Sequence, residues 1–332
     1  MSDHAAPVRW GVLSTANIGV TKVIPAMQAG SSTHVEAIAS RSADRAAETA
    51  AALGIPKAYG TYEDLLADDE IEAVYIPLPN HLHREWVIAA AEAGKHVLCE
   101  KPLAMTAAEA EEMVAACERS GVLLMEAFMY RLHPMWLEVV AMVGSGSIGQ
   151  VRAMTTTFSY FNDDPTNIRN IPEVGGGALY DIGCYAVNAS RLVFGGEPIG
   201  VKSSIQRDAS LGIDVVTTAI LEFAGGTASF VCSTQLEPDQ RVVIYGTEGR
   251  IVVDIPFNIP PHLPTAFHRV AGGEPPEHPA VETHEFPPAD QYTIQGDVFS
   301  QCVRTGRPLP VDPGDAVSNL RVIEQIFADA AS

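Results

Sequence analysis

Residues 1–128 alternate short apolar runs with segments in which apolar positions recur at helical spacing. The apolar runs predict strands over 9–14, 35–39, 73–76, 97–99 and 122–125. The segments between them predict helices over 18–29, 44–53, 81–93 and 106–120. Strands that alternate with helices are typical of a doubly wound parallel sheet, so we expect an α/β domain over residues 1–128.

The pattern changes after about residue 150, where β-rich runs follow one another directly. They predict strands over 151–160, 215–223, 227–234, 241–246 and 250–255. Gly225-Gly226 and Glu248-Gly249 are hairpin turn signals, so the sheet should be largely antiparallel. Helices are predicted over 177–194, 290–304 and 314–330. We expect an α+β domain over 129–332, with the Pro- and Gly-rich segment 256–288 as a long surface excursion.

Composition limits the classes of function. A chain of 332 residues suits two domains, and its formal net charge of −20 disfavours nucleic acid and anionic membranes. The five cysteines are scattered and odd in number, which indicates reduced thiols. The first residues show no secretory signal, and no apolar run approaches the ~20 residues that span a bilayer. We expect a cytoplasmic protein that binds neither nucleic acid nor membrane.

The turn after the first predicted strand has small residues in the pattern Ser14-x-Ala16-x-x-Gly19. A dinucleotide-binding fold usually has G-x-G-x-x-G here, because the backbone must turn tightly and approach the pyrophosphate closely. The turn also opens a helix, where backbone N–H groups bind phosphate. A plain strand–helix turn is the alternative. On the first interpretation the cofactor contacts Ser14, Thr15, Ala16, Asn17 and Ile18.

Ser40, Arg41 and Ser42 follow the second predicted strand, about 20 residues beyond Gly19. NAD-specific folds usually place Asp or Glu here to bind the ribose 2′-hydroxyl, whereas two hydroxyls and a guanidinium suit a 2′-phosphate. These residues favour NADP and leave NAD open. The alternative is a surface arginine that begins the next helix.

A proline-rich segment follows the third predicted strand. Its prolines hold an extended path beside the cofactor, and Asn80 can cap the next helix. The residues expected to contact the cofactor are Leu78, Pro79, Asn80 and His83. His81 and His83 are two positions apart, so on a helix they point to different faces. Because no carboxylate or cysteine cluster accompanies them, we predict no metal site.

Residues 95–102 read as a buried strand that runs into Glu100 and Lys101 and ends at Pro102. Ligands bind at the carboxyl ends of the strands in an open parallel sheet. We therefore expect Glu100 and Lys101 to contact the cofactor, and Lys101 to take part in the chemistry.

Three glycines, Gly175 to Gly177, open a predicted helix that carries Asp181 and Tyr185. These two residues are spaced i,i+4, so both project from one face. A purely structural role for the segment is the alternative. An ammonium such as that of Lys101 beside a phenol would lower its pKa and give a general base nearer neutral pH.

Several motifs together resemble the Gfo/Idh/MocA oxidoreductases, over about residues 8–325. They are Ala16-Asn17-Ile18-Gly19, Pro79-Asn80-x-x-His83, Glu100-Lys101-Pro102 and Gly-Gly-Gly-Ala-Leu-x-Asp-Ile-Gly-x-Tyr over 175–185. Tyr185 and the Met125–Pro134 stretch are similar to the branch with dimeric dihydrodiol dehydrogenase and NADP-dependent D-xylose 1-dehydrogenase.

The resemblance implies a Rossmann domain, then a substrate domain whose open sheet mediates a homodimer or homotetramer. It implies hydride transfer at nicotinamide, with Tyr185 as proton acceptor, Lys101 as its pKa-lowering partner and Asp181 as a substrate-hydroxyl or network carboxylate. In the loop 158–171, Tyr160 and Asn167 would contact substrate and Arg169 the cofactor.

The expected function is oxidation of a sugar or cyclic polyol hydroxyl, such as an aldose C1 oxidised to a lactone. Three alternatives stay open. They are a trans-dihydrodiol dehydrogenase or sugar ketone reductase on the same site, a redox-neutral NAD(P)-dependent glycosidase, and a non-catalytic dinucleotide sensor.

Overall fold

The structure is a computed structural model that describes residues 6–273 and 280–332. The chain divides into two compact units, Met1–Met129 with Asp290–Val317, and Tyr130–Ala289 with Ser318–Ser332. The sequence-based division assigned all of 129–332 to the second domain. The segment Asp290–Val317 differs because Asp297 accepts hydrogen bonds from the backbone N–H groups of Ser31 and Ser32, at 3.0 and 2.7 Å.

The first unit contains a six-stranded parallel sheet in the order β3-β2-β1-β4-β5-β6. Its strands are β1 (Val8–Leu13), β2 (Thr33–Ala39), β3 (Lys57–Tyr59), β4 (Ala73–Ile76), β5 (His96–Cys99) and β6 (Leu124–Glu126). Its helices are α1 (Ile24–Ala29), α2 (Ala43–Leu53), α3 (Tyr62–Leu66), α4 (His83–Glu92), α5 (Ala107–Ser120) and α8 (Gln291–Thr305). The strand order reverses between β1 and β4, which confirms the doubly wound fold and marks the usual ligand edge.

Local signals in the sequence explain these elements. All four residues of β4 are buried, as expected for a strand that is covered on both faces. Helix α5 begins at Thr106, whose hydroxyl accepts the Glu109 N–H at 3.2 Å, and ends at Gly121, whose φ is 67°. The boundaries of α5 therefore follow from capping chemistry, and β4 follows from a continuous apolar run.

The second unit contains an eight-stranded sheet in the order β14-β13-β12-β11-β7-β10-β9-β8. Its strands are β7 (Val151–Phe161), β8 (Gly200–Arg207), β9 (Asp214–Phe223), β10 (Gly226–Ser233), β11 (Gln235–Gly246), β12 (Gly249–Val253), β13 (Thr265–Ala271) and β14 (Val281–Phe286). Its helices are α6 (Pro134–Gly144) and α7 (Cys184–Phe194), and the division between the units falls inside α9 (Gly314–Ala330). The β7–β10 pair is parallel and the other pairs are antiparallel, which confirms the predicted sheet.

The prediction for segment 256–288 needs correction. It contains β13 and β14, which extend the sheet, and residues 274–279 of it lie outside the described residues. Phe267 and Val270 on β13 are buried. The prolines that suggested an excursion lie before, between and after these strands, so composition averaged over the whole segment concealed the strands.

Two further observations concern the cysteines and the helices. The five cysteines are buried and none forms a disulfide. Within residues 6–273 and 280–332, no helix is both long and apolar enough to cross a bilayer.

Candidate functional site

The turn after β1 has the backbone geometry expected of a phosphate-binding loop. Ser14 has a φ of 144°, a region that favours glycine, and its hydroxyl accepts the Ala16 N–H at 3.0 Å. A π-helical segment, Gly19–Val23, then leads into α1. A Cβ at Gly19 would lie 3.5 Å from the Pro77 ring, so this turn packs directly on the segment after β4. Thr15, Ala16 and Ile18 are half-buried and Asn17 is exposed.

The Ser40–Ser42 segment lies after β2 with hydroxyls turned to the backbone. The Ser40 hydroxyl accepts the Ser42 N–H at 3.3 Å, and Ser42 caps α2. The sequence reasoning missed Tyr62, whose phenol interacts electrostatically with Ser14 and Arg41. Burial raises the pKa of Tyr62, and Arg41 opposes that shift. Tyr62 therefore connects the two motifs that were assigned to the cofactor.

Glu100 and Lys101 leave the carboxyl end of β5, as predicted. Tyr75 donates a hydrogen bond to the Glu100 carboxylate at 2.6 Å. Burial and Glu100 together raise the pKa of Tyr75 well above its usual range, so the phenol stays protonated and donates. The peptide bond between Lys101 and Pro102 is cis. Lys101 is half-buried, and it belongs to the same sheet edge as Ser14 and Arg41.

His83 differs from its predicted role as a direct cofactor contact. Its side chain is 0% exposed, and both ring nitrogens face backbone carbonyls. No ring atom is therefore accessible for the predicted contact. Leu78 is buried, whereas Pro79 and Asn80 are half-buried at the end of β4.

The first unit fits a dinucleotide. The glycine-like backbone of Ser14 and the close packing at Gly19 suit a pyrophosphate, and the Arg41–Tyr62 pair suits an adenosine phosphate. Across the described parts of both units, no group of three or more His, Cys, Asp or Glu residues is arranged to hold a metal ion.

The second unit contains a different helix start, at Gly175–Gly177. Gly177 has a φ of 117°, and a Cβ there would collide with the Asp214 carboxylate. Asp214 accepts the Leu179 N–H at 2.7 Å and the Thr217 hydroxyl at 2.9 Å. Burial raises the pKa of Asp214 to about 6, although both hydrogen bonds oppose the shift. Asp214, which the sequence reasoning missed, therefore holds the start of the helix.

A π-helical segment, Leu179–Gly183, follows and carries Asp181. Tyr160 donates to the Asp181 carboxylate at 2.5 Å, and the Arg169 Nε donates to the same oxygen at 3.1 Å. Burial and Asp181 raise the pKa of Tyr160 far above its usual range, so Tyr160 is a hydrogen-bond donor rather than a base. Asn167 accepts the Arg169 backbone N–H at 3.1 Å, which shapes the loop that presents Arg169.

Tyr185 lies on α7, one helical turn beyond Asp181. Its ring packs among Tyr130, Phe158 and Phe257, with centroids 6.0, 5.6 and 5.1 Å away. The Tyr130 hydroxyl donates to Asn188 on the same helix at 2.5 Å. These aromatic contacts fix the orientation of the Tyr185 phenol.

The missed residues had weak sequence signals. Tyr62 lies in a helix of only five residues, and Phe257 lies in the segment that was taken for an excursion. Asp214 begins an apolar strand, and a charged residue at that place was the one available hint. The contacts of all three depend on segments that are distant in sequence.

Comparison with known proteins defines the family. The model for the oxidoreductase family with an NAD-binding Rossmann fold matches residues 8–128, and the GFO/IDH/MocA C-terminal domain model matches residues 136–252. The chain belongs to the GFO/IDH/MocA family and is an NAD(P)-dependent oxidoreductase. These matches confirm the predicted family, enzyme class and nicotinamide cofactor.

Three similar proteins are informative. The chain is 42% identical to D-xylose 1-dehydrogenase (NADP(+)) 2 of Haloferax volcanii over 97% of both chains. It is 31% identical to the 3-ketoreductase KijD10 of Actinomadura kijaniata, solved with NADP and TDP-benzene, covering 97% of this chain and 98% of that one with a TM-score of 0.89. It is 29% identical to an aldose-aldose oxidoreductase of Caulobacter crescentus, solved with glycerol, over 98% of both chains with a TM-score of 0.90.

Proposed function

We propose that this oxidoreductase of sugar-like substrates uses NADP to oxidise a hydroxyl group of a sugar or cyclic polyol. Oxidation of an aldose at C1 to its lactone is the specific reaction proposed. The similarity to an NADP-dependent D-xylose 1-dehydrogenase over 97% of both chains supports this choice of substrate class.

The observation that carries the proposal is the hydrogen bonding of Asp181. Arg169 and Tyr160 both donate to the Asp181 carboxylate, and we assign this carboxylate as the acceptor that orients a substrate hydroxyl. A carboxylate with this pairing is a poor general base near neutral pH. Of the two residues that the helix presents, Tyr185 is therefore the proton acceptor.

Lys101 completes the proposed chemistry. A lysine ammonium that acts on Tyr185 favours the phenolate, which can take the proton from the substrate hydroxyl. The nicotinamide ring, when bound, supplies the hydride acceptor. The residues of the chain then have separate roles: Asp181 orients the hydroxyl, Tyr185 takes its proton, and Lys101 sets the basicity of Tyr185.

The preference for NADP rests on Arg41. Its guanidinium interacts electrostatically with Tyr62 and places a cation after β2, where NAD-specific folds usually have an acid. A guanidinium binds a 2′-phosphate through charge-assisted hydrogen bonds. The adjacent Ser40 and Ser42 hydroxyls add polar groups to the same segment.

Association through the eight-stranded sheet stays a proposal. Exposed apolar side chains on its strands, Ile220 and Tyr245, support a homodimer or homotetramer there. Cytoplasmic localisation and the absence of nucleic-acid binding also stay predictions.

Reduction of a sugar ketone is the second candidate. It is favoured by the similarity to a 3-ketoreductase solved with NADP. The same residues serve both directions, because a phenol that accepts a proton in oxidation donates one in reduction. A redox-neutral reaction on retained cofactor is a variant of this candidate, and the similarity to an aldose-aldose oxidoreductase favours it.

A substrate screen tests the function. We expect aldoses to support steady NADPH formation and to yield a lactone, with inositols and dihydrodiols slower. The ratio of kcat/KM for NADP over NAD should favour NADP, and Arg41→Asp should reverse it because it replaces the cation with an anion. The proposed direction would be wrong if only ketones reacted with NADPH. Product without net NADPH from a purified enzyme that retains cofactor would indicate the redox-neutral variant.

A further inference from the structure

His83 bridges two loops at the cofactor edge of the first unit. Its Nε2 lies 2.8 Å from the carbonyl oxygen of Leu78, in the segment after β4. Its Nδ1 lies 3.0 and 3.2 Å from the carbonyl oxygens of Pro102 and Leu103, in the loop after β5. The ring therefore contacts both the proline-rich segment beside the cofactor and the loop that directly follows Lys101.

The chemistry of these loops explains why a bridge is needed. Leu78 is 7% exposed and Leu103 is 0% exposed, so their carbonyls are removed from water and need a donor. Prolines next to these residues have no N–H to offer. On the other side, the Leu103 N–H donates to the buried Glu126 carboxylate at 2.8 Å. Hydrogen-bond partners therefore contact both the Leu103 N–H and the carbonyl oxygens of Pro102 and Leu103, just beyond Lys101.

The two-sided contact is specific to histidine. Both ring nitrogens face carbonyl oxygens, so the neutral ring can donate to either loop, from Nδ1 or from Nε2 according to its tautomer. Burial lowers the pKa of His83, and the hydrogen bonds to the three carbonyls oppose that shift. A side chain with one polar end cannot span the same gap.

We propose that His83 is a positioning residue that clamps the loop after Lys101 to the Leu78 segment and so sets the place of the Lys101 ammonium. His83 acts through Lys101 and touches neither substrate nor cofactor. The inference rests on the proposed role of Lys101 in oxidation, and it assigns His83 a function other than direct cofactor binding.

A double-mutant cycle between His83 and Lys101 tests the proposal. We expect His83→Phe to lower kcat by roughly 10²-fold, because a displacement of about 1 Å at a reacting group has that effect. His83→Gln, which keeps one donor, should fall between. In the Lys101→Ala background, His83→Phe should lower kcat little further, because residues that act as a unit are not additive.

His96→Gln is the matched control. His96 lies at the opposite end of β5, and its Nδ1 accepts the Leu123 N–H at 2.9 Å. His96→Gln should lower the melting temperature without changing kcat or the pH profile of kcat. His83→Phe should instead shift the pH profile of kcat toward that of Lys101→Ala. If His83→Phe does not fold, His83→Gln replaces it in the double-mutant cycle.

The possible failures are distinguishable. Equal loss from His83→Phe in the wild-type and Lys101→Ala backgrounds would show that His83 acts independently of Lys101 and would overturn the inference alone. Near-normal turnover of Lys101→Ala by itself would refute the proposed function of Lys101, and the inference with it. A kcat loss in His96→Gln equal to that in His83→Phe would reduce both effects to general destabilisation and would also overturn the inference.

Discussion

Two helix starts in this protein share the same backbone features. They differ in the group that accepts hydrogen bonds from their N–H groups. In the first unit, Ser14 with a φ of 144° precedes the π-helical segment Gly19–Val23 and α1. In the second, Gly177 with a φ of 117° precedes the π-helical segment Leu179–Gly183 and α7. Both combine a strained or glycine-only residue with a π-helical turn, two features that recur at functional sites.

The acceptor at each start is different. At the second start, Asp214 of the chain itself accepts the Leu179 N–H, so the helix end is completed from within the fold. At the first start, the acceptor role is assigned to the pyrophosphate of the cofactor. On this assignment, which stays a proposal, the same local structure binds a ligand in one unit and fixes side chains in the other.

Single substitutions at the two helix starts, Gly177→Ala and Ser14→Gly, should give the largest difference in stability. Gly177→Ala forces a Cβ into an unfavourable φ and against Asp214, so we expect it to cost more than about 3 kcal/mol. Ser14→Gly relieves an unfavourable φ but loses a hydrogen bond, so its effect on stability should stay within about 1 kcal/mol. Thermal unfolding of the full chain measures both. Similar melting temperatures for the two variants would contradict the contrast.

Asp214→Asn should have a smaller effect, and one that depends on pH. The pKa of Asp214 is about 6 in the folded state and about 3.9 in an unfolded chain, so the folded state binds the proton more tightly. Wild-type stability should therefore gain from proton uptake at Asp214 as the pH falls from 8 to 5. The asparagine of the variant takes up no proton.

The measurement is the melting temperature of wild type minus that of Asp214→Asn, taken at both pH values. We expect the difference to be larger at pH 5 than at pH 8. Because other carboxyls titrate in both proteins, their contributions cancel in the subtraction. A difference that is equal at the two pH values would show that Asp214 does not titrate in this range.

The sequence predicted the elements whose signal is local. Strand β4 is buried throughout and appears as an apolar run, and α5 has its capping residue Thr106. Strand β8 has no buried residue and only two large apolar ones, and β3 has only three residues, so neither had a usable pattern. Strand β13 was concealed by the prolines around it.

The candidate site divides in the same way. Lys101 and Arg41 could be proposed from sequence because a strand end and its fold position suffice to locate them. The contacts of His83 could not, because its partners Pro102 and Leu103 lie 19 and 20 residues away. The same holds for Asp214 and Leu179, which are 35 residues apart. Residues that act by holding other segments need the three-dimensional fold to be recognised.

The central claim is that Tyr185 takes the proton when a sugar hydroxyl is oxidised, and its most direct test is single-turnover NADPH formation by Tyr185→Phe. The variant keeps the aromatic packing with Phe158 and Phe257 but has no phenolic hydroxyl. We predict a rate about 10²–10⁴-fold below wild type at the same NADP occupancy. NADPH formation at the wild-type rate would contradict the account.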